Sequence, residues 1–147
     1  MPDAKMVDVG AKPDVRREAV ARGFIRLREG TLKRIQEGRM EKGDPLAIAK
    51  VAAIMASKQT PFVVPLAHPI PVTGVEVKTK MLENGVEVET FVSTNYKTGC
   101  EVDALLATAV ALLAIFDVCK PYEKDERGQY PVACIEKLTV VRKEKGM

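Results

Sequence analysis

The stretch "VTGVEVKTKMLENGVEVETFVSTNY", residues 72–96, holds two runs of alternating apolar and polar residues on either side of Glu83-Asn84-Gly85. Alternation with period two marks a strand that buries one face. Asn84-Gly85 between two such runs is a strong short-range hairpin signal. The centre of the chain is therefore an antiparallel pair, and the remaining elements can be placed outward from it.

Toward the N-terminus lies "PFVVPLAHPIPV", residues 61–72, where Pro61, Pro65, Pro69 and Pro71 surround His68, the single histidine of the chain. Proline fixes its own φ and biases the preceding residue toward extended geometry. His68 is thus expected in a stiff, extended loop. Two readings stand side by side: a rigid loop presenting a catalytic or substrate-gripping imidazole, or a proline-rich turn that happens to accommodate histidine.

Before the loop, "KGDPLAIAKVAAIMASKQT" reads as a helix. Asp44 is the N-cap, Pro45 takes the first helical position, and an alanine-rich body runs through Lys58 until Thr60 and Pro61 stop it. "EGTLKRIQEG" reads as a short extra helix ending at Gly38. "REAVARGFIRL" alternates as a strand, with Ala19, Ala21, Gly23, Ile25 and Leu27 on one face. A short strand or arm is expected around Met6 to Val9.

Toward the C-terminus, a long helix is expected from about Glu101 to Lys120, halted by Pro121. The charged loop "YEKDERGQYP" and a last strand, "VACIEKLTVV", follow. The order from residue 16 is strand, helix, strand, strand, helix, strand. This is an α+β class, ferredoxin-like pattern: an antiparallel sheet with two main helices on one face, plus the short extra helix. A single domain over residues 1–147 is expected.

The long helix breaks two rules. Residues 104–116 are apolar on every side except Thr108. A helix of that kind is buried all round, while a two-layer fold covers only one face, so a second subunit is expected on the other. Asp117 closes the apolar run in the last turn, where the helix dipole disfavours an acid. Lys120, three residues on, shares its face. A local salt bridge would explain the pair, and so would an acid–base pair tuned by its surroundings. A broken local rule without structural gain favours the latter. Glu101 and Asp103, in the first turn, fit capping as well as function.

Bulk composition excludes several classes. Hydrophobic content of 46% and charged content of 29% over 147 residues describe a globular chain with a sizeable core. The 13-residue apolar run is short of the roughly 20 residues a membrane span needs. No basic start joins an apolar stretch, so a signal peptide is not expected and a cytoplasmic location is the default. Three cysteines without a C-x-x-C, and one histidine, give no disulfide framework and no metal site, and all three thiols are expected to be buried. A net charge of +3 permits an anionic small molecule without requiring nucleic acid. An RNA-binding sheet would need stacked aromatics on its central strands, and the third strand offers only Phe91 and Tyr96.

Five blocks in register carry a resemblance: "MVDVGAK", "KGD", "PLAHPIPV", "KTGCEVDAL" and "IFDVCKPYEK". From about Met6 to Lys145 the chain resembles the cyclic pyranopterin monophosphate synthase family of molybdenum cofactor biosynthesis. The resemblance implies a ferredoxin-like α+β fold assembled as a homohexamer, a trimer of dimers. It implies a lyase that converts (8S)-3′,8-cyclo-7,8-dihydroguanosine 5′-triphosphate to cyclic pyranopterin monophosphate and pyrophosphate. Carried over residue by residue, it makes Asp117, Lys120 and Lys42 catalytic. It assigns substrate binding to Leu66, Ala67 and His68, to Glu101, Val102 and Asp103, and to Arg17, Lys58 and Lys143. Asp103 stands where the family often has glutamate, and the tail "VVRKEKGM" replaces the family's glycine-rich end. No cofactor is required, and magnesium on the phosphates is compatible with the chemistry.

Overall fold

The computed structural model describes residues 2–146. Its elements run β1 Val15–Arg26, α1 Glu29–Gln36, α2 Pro45–Ser57, α3 Thr60–Val63, β2 Val72–Leu82, β3 Gly85–Tyr96, α4 Glu101–Glu123 and β4 Cys134–Lys145. The four strands form one antiparallel sheet in the order β2-β3-β1-β4. This is the ferredoxin-like order that the split βαβ pattern requires. α2 and α4 pack side by side and lie on one face of the sheet.

The central hairpin pairs Leu82 with Gly85 across a turn at Glu83 and Asn84. Gly85 is needed there because a Cβ would strike the Ile25 carbonyl of the neighbouring strand. Gly23 on β1 has a similar role: an added Cβ would come within 2.6 Å of Leu112 Cδ1, so its absence lets α4 settle on the sheet. The core below α4 is built from Ile25, Val86, Val88, Ala107, Ala111, Leu112 and Ile115, with Ala49 and Ala53 entering from α2. Small residues at 104, 107 and 111 bring the helix backbone close to the strands.

Three expectations change. Thr60 and Pro61 open the one-turn helix α3 rather than ending α2, which already closes at Ser57, because proline suits a first helical turn where its missing N–H is not needed. Pro121 does not halt α4, which continues to Glu123. It sits in the last turn, where the bond it forfeits is the one to the Asp117 carbonyl. Cys134 is exposed, whereas Cys100 and Cys119 are buried as expected. The segment around Met6 to Val9 is an arm without strand pairing. β4 runs to Lys145, with irregular pairing to β1 and a positive φ at Lys137. α4 is long and apolar enough by length and composition to cross a membrane, but half of its apolar stretch is packed inside the fold.

A candidate active site divided between the ends of one helix

Asp117 stands in the penultimate turn of α4 with its carboxylate between two cations. Lys42 Nζ donates to Asp117 Oδ2 at 3.0 Å, and Lys120 Nζ lies 3.6 Å from Asp117 Oδ1. Lys120 is there because residues three apart share a helix face. Lys42 comes from the loop before α2. Met40–Gly43 form a turn, Gly43 takes a positive φ, and Asp44 caps α2 by accepting from the Leu46 N–H. The Lys42 ammonium hydrogen bond, then its charge and that of Lys120, hold the Asp117 carboxyl below the usual carboxylate range. Asp117 is therefore ionised at neutral pH, and the three side chains are open to solvent.

A second cluster gathers at the other end of α4. Asp103 is only 4% exposed, and burial raises its carboxyl pKa against a lowering contribution from the Thr60 hydroxyl. Glu101 reaches Lys143 of β4, with Nζ 3.4 Å from Oε2. Val102 between them is exposed. Lys58 is the exposed C-cap residue of α2, just before α3. Arg17 is buried, and its guanidinium donates to the carbonyls of Tyr96 and Lys97, so it braces the corner where β3 turns into α4.

The loop after α3 turns at Val64–Ala67 and then presents Leu66 exposed, with Ala67 and His68 half-buried. His68 Nε2 donates to the Val7 carbonyl of the N-terminal arm at 2.6 Å. The same arm is tied down by Lys97, which donates to the Lys12 carbonyl and pairs with Asp14.

The structure thus brings the expected residues together in two groups rather than one. Lys42, Asp117 and Lys120 form the first. Glu101, Val102, Asp103 and Lys143 form the second at the other end of α4, with Arg17 bracing the corner beside it, while Lys58, Leu66, Ala67 and His68 lie along the connection from α2 to β2, where His68 meets the N-terminal arm. Asp103 and Asp117 are fourteen residues apart on one helix, and at 1.5 Å per residue that separates them by about 21 Å along its axis. Sequence reasoning missed Lys97, whose role arises only from contacts across the fold, and Tyr122, whose hydroxyl accepts from the Glu41 N–H beside Lys42. Among the described residues no three of His, Cys, Asp and Glu converge as a metal cluster.

These residues fall inside a family match covering residues 6–146, to the MoaC family. The chain belongs to the MoaC family. Curated relatives agree along nearly their whole length. A probable cyclic pyranopterin monophosphate synthase of Aeropyrum pernix is 50% identical, covering 99% of this chain and all of the relative. One from Sulfurisphaera tokodaii is 48% identical over 99% of this chain and 96% of its own. One from Pyrococcus horikoshii is 51% identical over 96% and 89%. MoaC family membership sets the class of chemistry, molybdenum cofactor biosynthesis.

Proposed function

We propose that this protein is a cyclic pyranopterin monophosphate synthase. It is a phosphorus–oxygen lyase that takes the 3′,8-cyclised dihydro-GTP, rebuilds its purine as a pterin, closes a cyclic phosphate and releases pyrophosphate. The observation that carries the reading is Asp117 held ionised between Lys42 and Lys120 at the end of a buried helix, in a chain of this family. Ring opening and reclosure need groups that accept and deliver protons, and a carboxylate flanked by two ammonium groups supplies both within one hydrogen-bonded set. Phosphate cyclisation builds charge on phosphorus and on the departing pyrophosphate, which fixed cations stabilise. Lys58 and Lys143 serve as point charges for the triphosphate, with Arg17 shaping the wall behind them. His68 reads the substrate once its bond to the Val7 carbonyl is exchanged. No redox group is needed. A magnesium ion, where present, would ride on the substrate phosphates, since no three-ligand cluster marks a site for it among the described residues.

Asp103 and Asp117 of one chain stand about 21 Å apart along the helix axis, a long reach for one substrate molecule. The reading therefore includes assembly: a two-fold pairing sets the Asp117 end of one copy beside the Asp103 end of its partner, and three such pairs make the hexamer. An isologous contact of this kind supplies two complete sites per pair. Exposed Val51, Ile54 and Met55 of α2, with Leu113 of α4, give the apolar area such contacts bury. The decisive assay incubates the protein with the cyclised GTP intermediate and follows pyrophosphate together with the fluorescent oxidised pterin. Absence of both products with fresh substrate rejects the function.

A further inference from the structure

Lys42 sits in a loop between α1 and α2, and a lysine on a loop needs something to aim it. The last turn of α4 provides two clasps. Glu123 is fully buried, and its Oε2 accepts from the Arg28 N–H at 2.9 Å and from the Thr31 hydroxyl, which locks that turn against the start of α1. Tyr122, beside it, faces the end of α1. The Arg34 guanidinium stacks 4.2 Å from the centre of its ring. Its hydroxyl accepts from the Glu41 N–H at 3.0 Å, one residue before Lys42. The helix that carries Asp117 therefore also holds, through Tyr122, the backbone next to the lysine that pairs with Asp117.

We propose that Tyr122 is the positioning residue for Lys42, with Arg34 clamping its ring so that the hydroxyl fixes the Met40–Glu41 peptide, the one before that of Lys42. A flexible lysine keeps its head at 3.0 Å from one carboxylate oxygen only if its backbone is held, and in this loop the side chain of Met40 packs against the core while the Tyr122 hydroxyl ties the backbone at Glu41. The glycines at 38 and 43, both with positive φ, give the loop its sharp path and little stiffness of their own. Misplacing a reacting group by an ångström can cost on the order of a hundredfold in rate, so an oxygen atom that touches no substrate can govern turnover. The groups facing the Asp117 carboxylate are Lys42 from the loop and Lys120 from its own helix.

This inference rests on the proposed catalytic role of Asp117 for its effect on rate, but not for its effect on structure. The test is Tyr122→Phe, which keeps the ring and its stacking on Arg34 and removes only the hydroxyl. Carboxyl NMR of Asp117 in the intact protein should show its titration moving up toward the ordinary aspartate range, as Lys42 leaves. Turnover should fall about tenfold with KM changed less than twofold, and the melting temperature should stay close to wild type. Arg34→Met, which keeps bulk but not the cation, should give a weaker version of both changes. An Asp117 titration that is unchanged in Tyr122→Phe overturns the proposal, whatever the rate does. A moved titration with unchanged turnover keeps the positioning role and instead removes Asp117 from catalysis.

Discussion

Asp117 and Asp103 are two acids on one helix with opposite surroundings. Asp117 has two lysines against it and its pKa is lowered. Asp103 has burial against it and its pKa is raised. For Asp103 the native state binds the proton more tightly than the unfolded chain, so its contribution is favourable at acid pH and lost as pH rises through its folded pKa. At neutral pH Asp103→Asn should therefore raise the melting temperature while weakening substrate turnover, as calorimetry and the pyrophosphate assay would show together. A melting temperature that falls would mean the carboxylate has partners that the fold does not display. Asp117→Asn should fold and assemble with turnover reduced by roughly 10²–10⁴, the usual range for a lost acid–base group. Lys120→Ala should act alike, and the double variant should be little worse than either single one. The thiols give an independent check. Burial pushes Cys100 up to about 11 and Cys119 up to about 12, while Cys134 is exposed. A thiol reagent at pH 8 should modify one cysteine per native chain rapidly and three in denaturant.

At the scale of elements, α4 does two jobs that pull its sequence in different directions. Its inner face must be apolar and small to lie on β1 and β3, and its ends must carry charge. Leu112 fills the space that Gly23 leaves open, so Leu112→Ala should cost about 3 kcal/mol in denaturant unfolding, in the range of large core truncations. Ala111 is fully buried within the chain, so a glutamate there would attack the core and could not report on assembly. Leu113, on the opposite side and 56% exposed, is the position that does. The short α1 is explained by the same helix. It is held at one end by Glu123 and at the other by the Arg34–Tyr122 stack, and its return is a fixed path for the loop bearing Lys42.

For the whole molecule the test is complementation. Leu113→Glu should lower the assembly state in light scattering and lower turnover with it, and a fully active wild-type monomer would end the composite-site reading. Mixing an inactive Asp117→Asn chain with an inactive chain altered in the other cluster, such as Lys143→Ala with His68→Ala, should restore activity. Random pairing makes about half the dimers mixed, each with one intact site of two, so recovery should approach about a quarter of wild type. Zero recovery after verified subunit exchange would place both clusters' work within one chain.

Much of this protein could be read before its coordinates. The alternation around Asn84-Gly85, the Asp44-Pro45 start and the apolar run at 104–116 act locally, through turn chemistry, capping and periodicity, and those signals are written in neighbouring residues. The pairing of Asp117 with Lys120 was also visible, because residues three apart on a helix share one face. The sequence could not show that Pro121 would be tolerated inside α4, since the lost hydrogen bond matters little in a last turn anchored by buried Glu123. Nor could it show that Lys42 meets Asp117 across 75 positions, or that His68 reaches back to Val7 across 61. Those pairings depend on how α2 lies against α4 and how the arm crosses the loop. The separation of Asp117 and Asp103 toward the two ends of α4 is likewise a consequence of helix length. Local sequence determines which elements form and which residues are unusual on them. Only the packing of distant segments decides which of those residues meet.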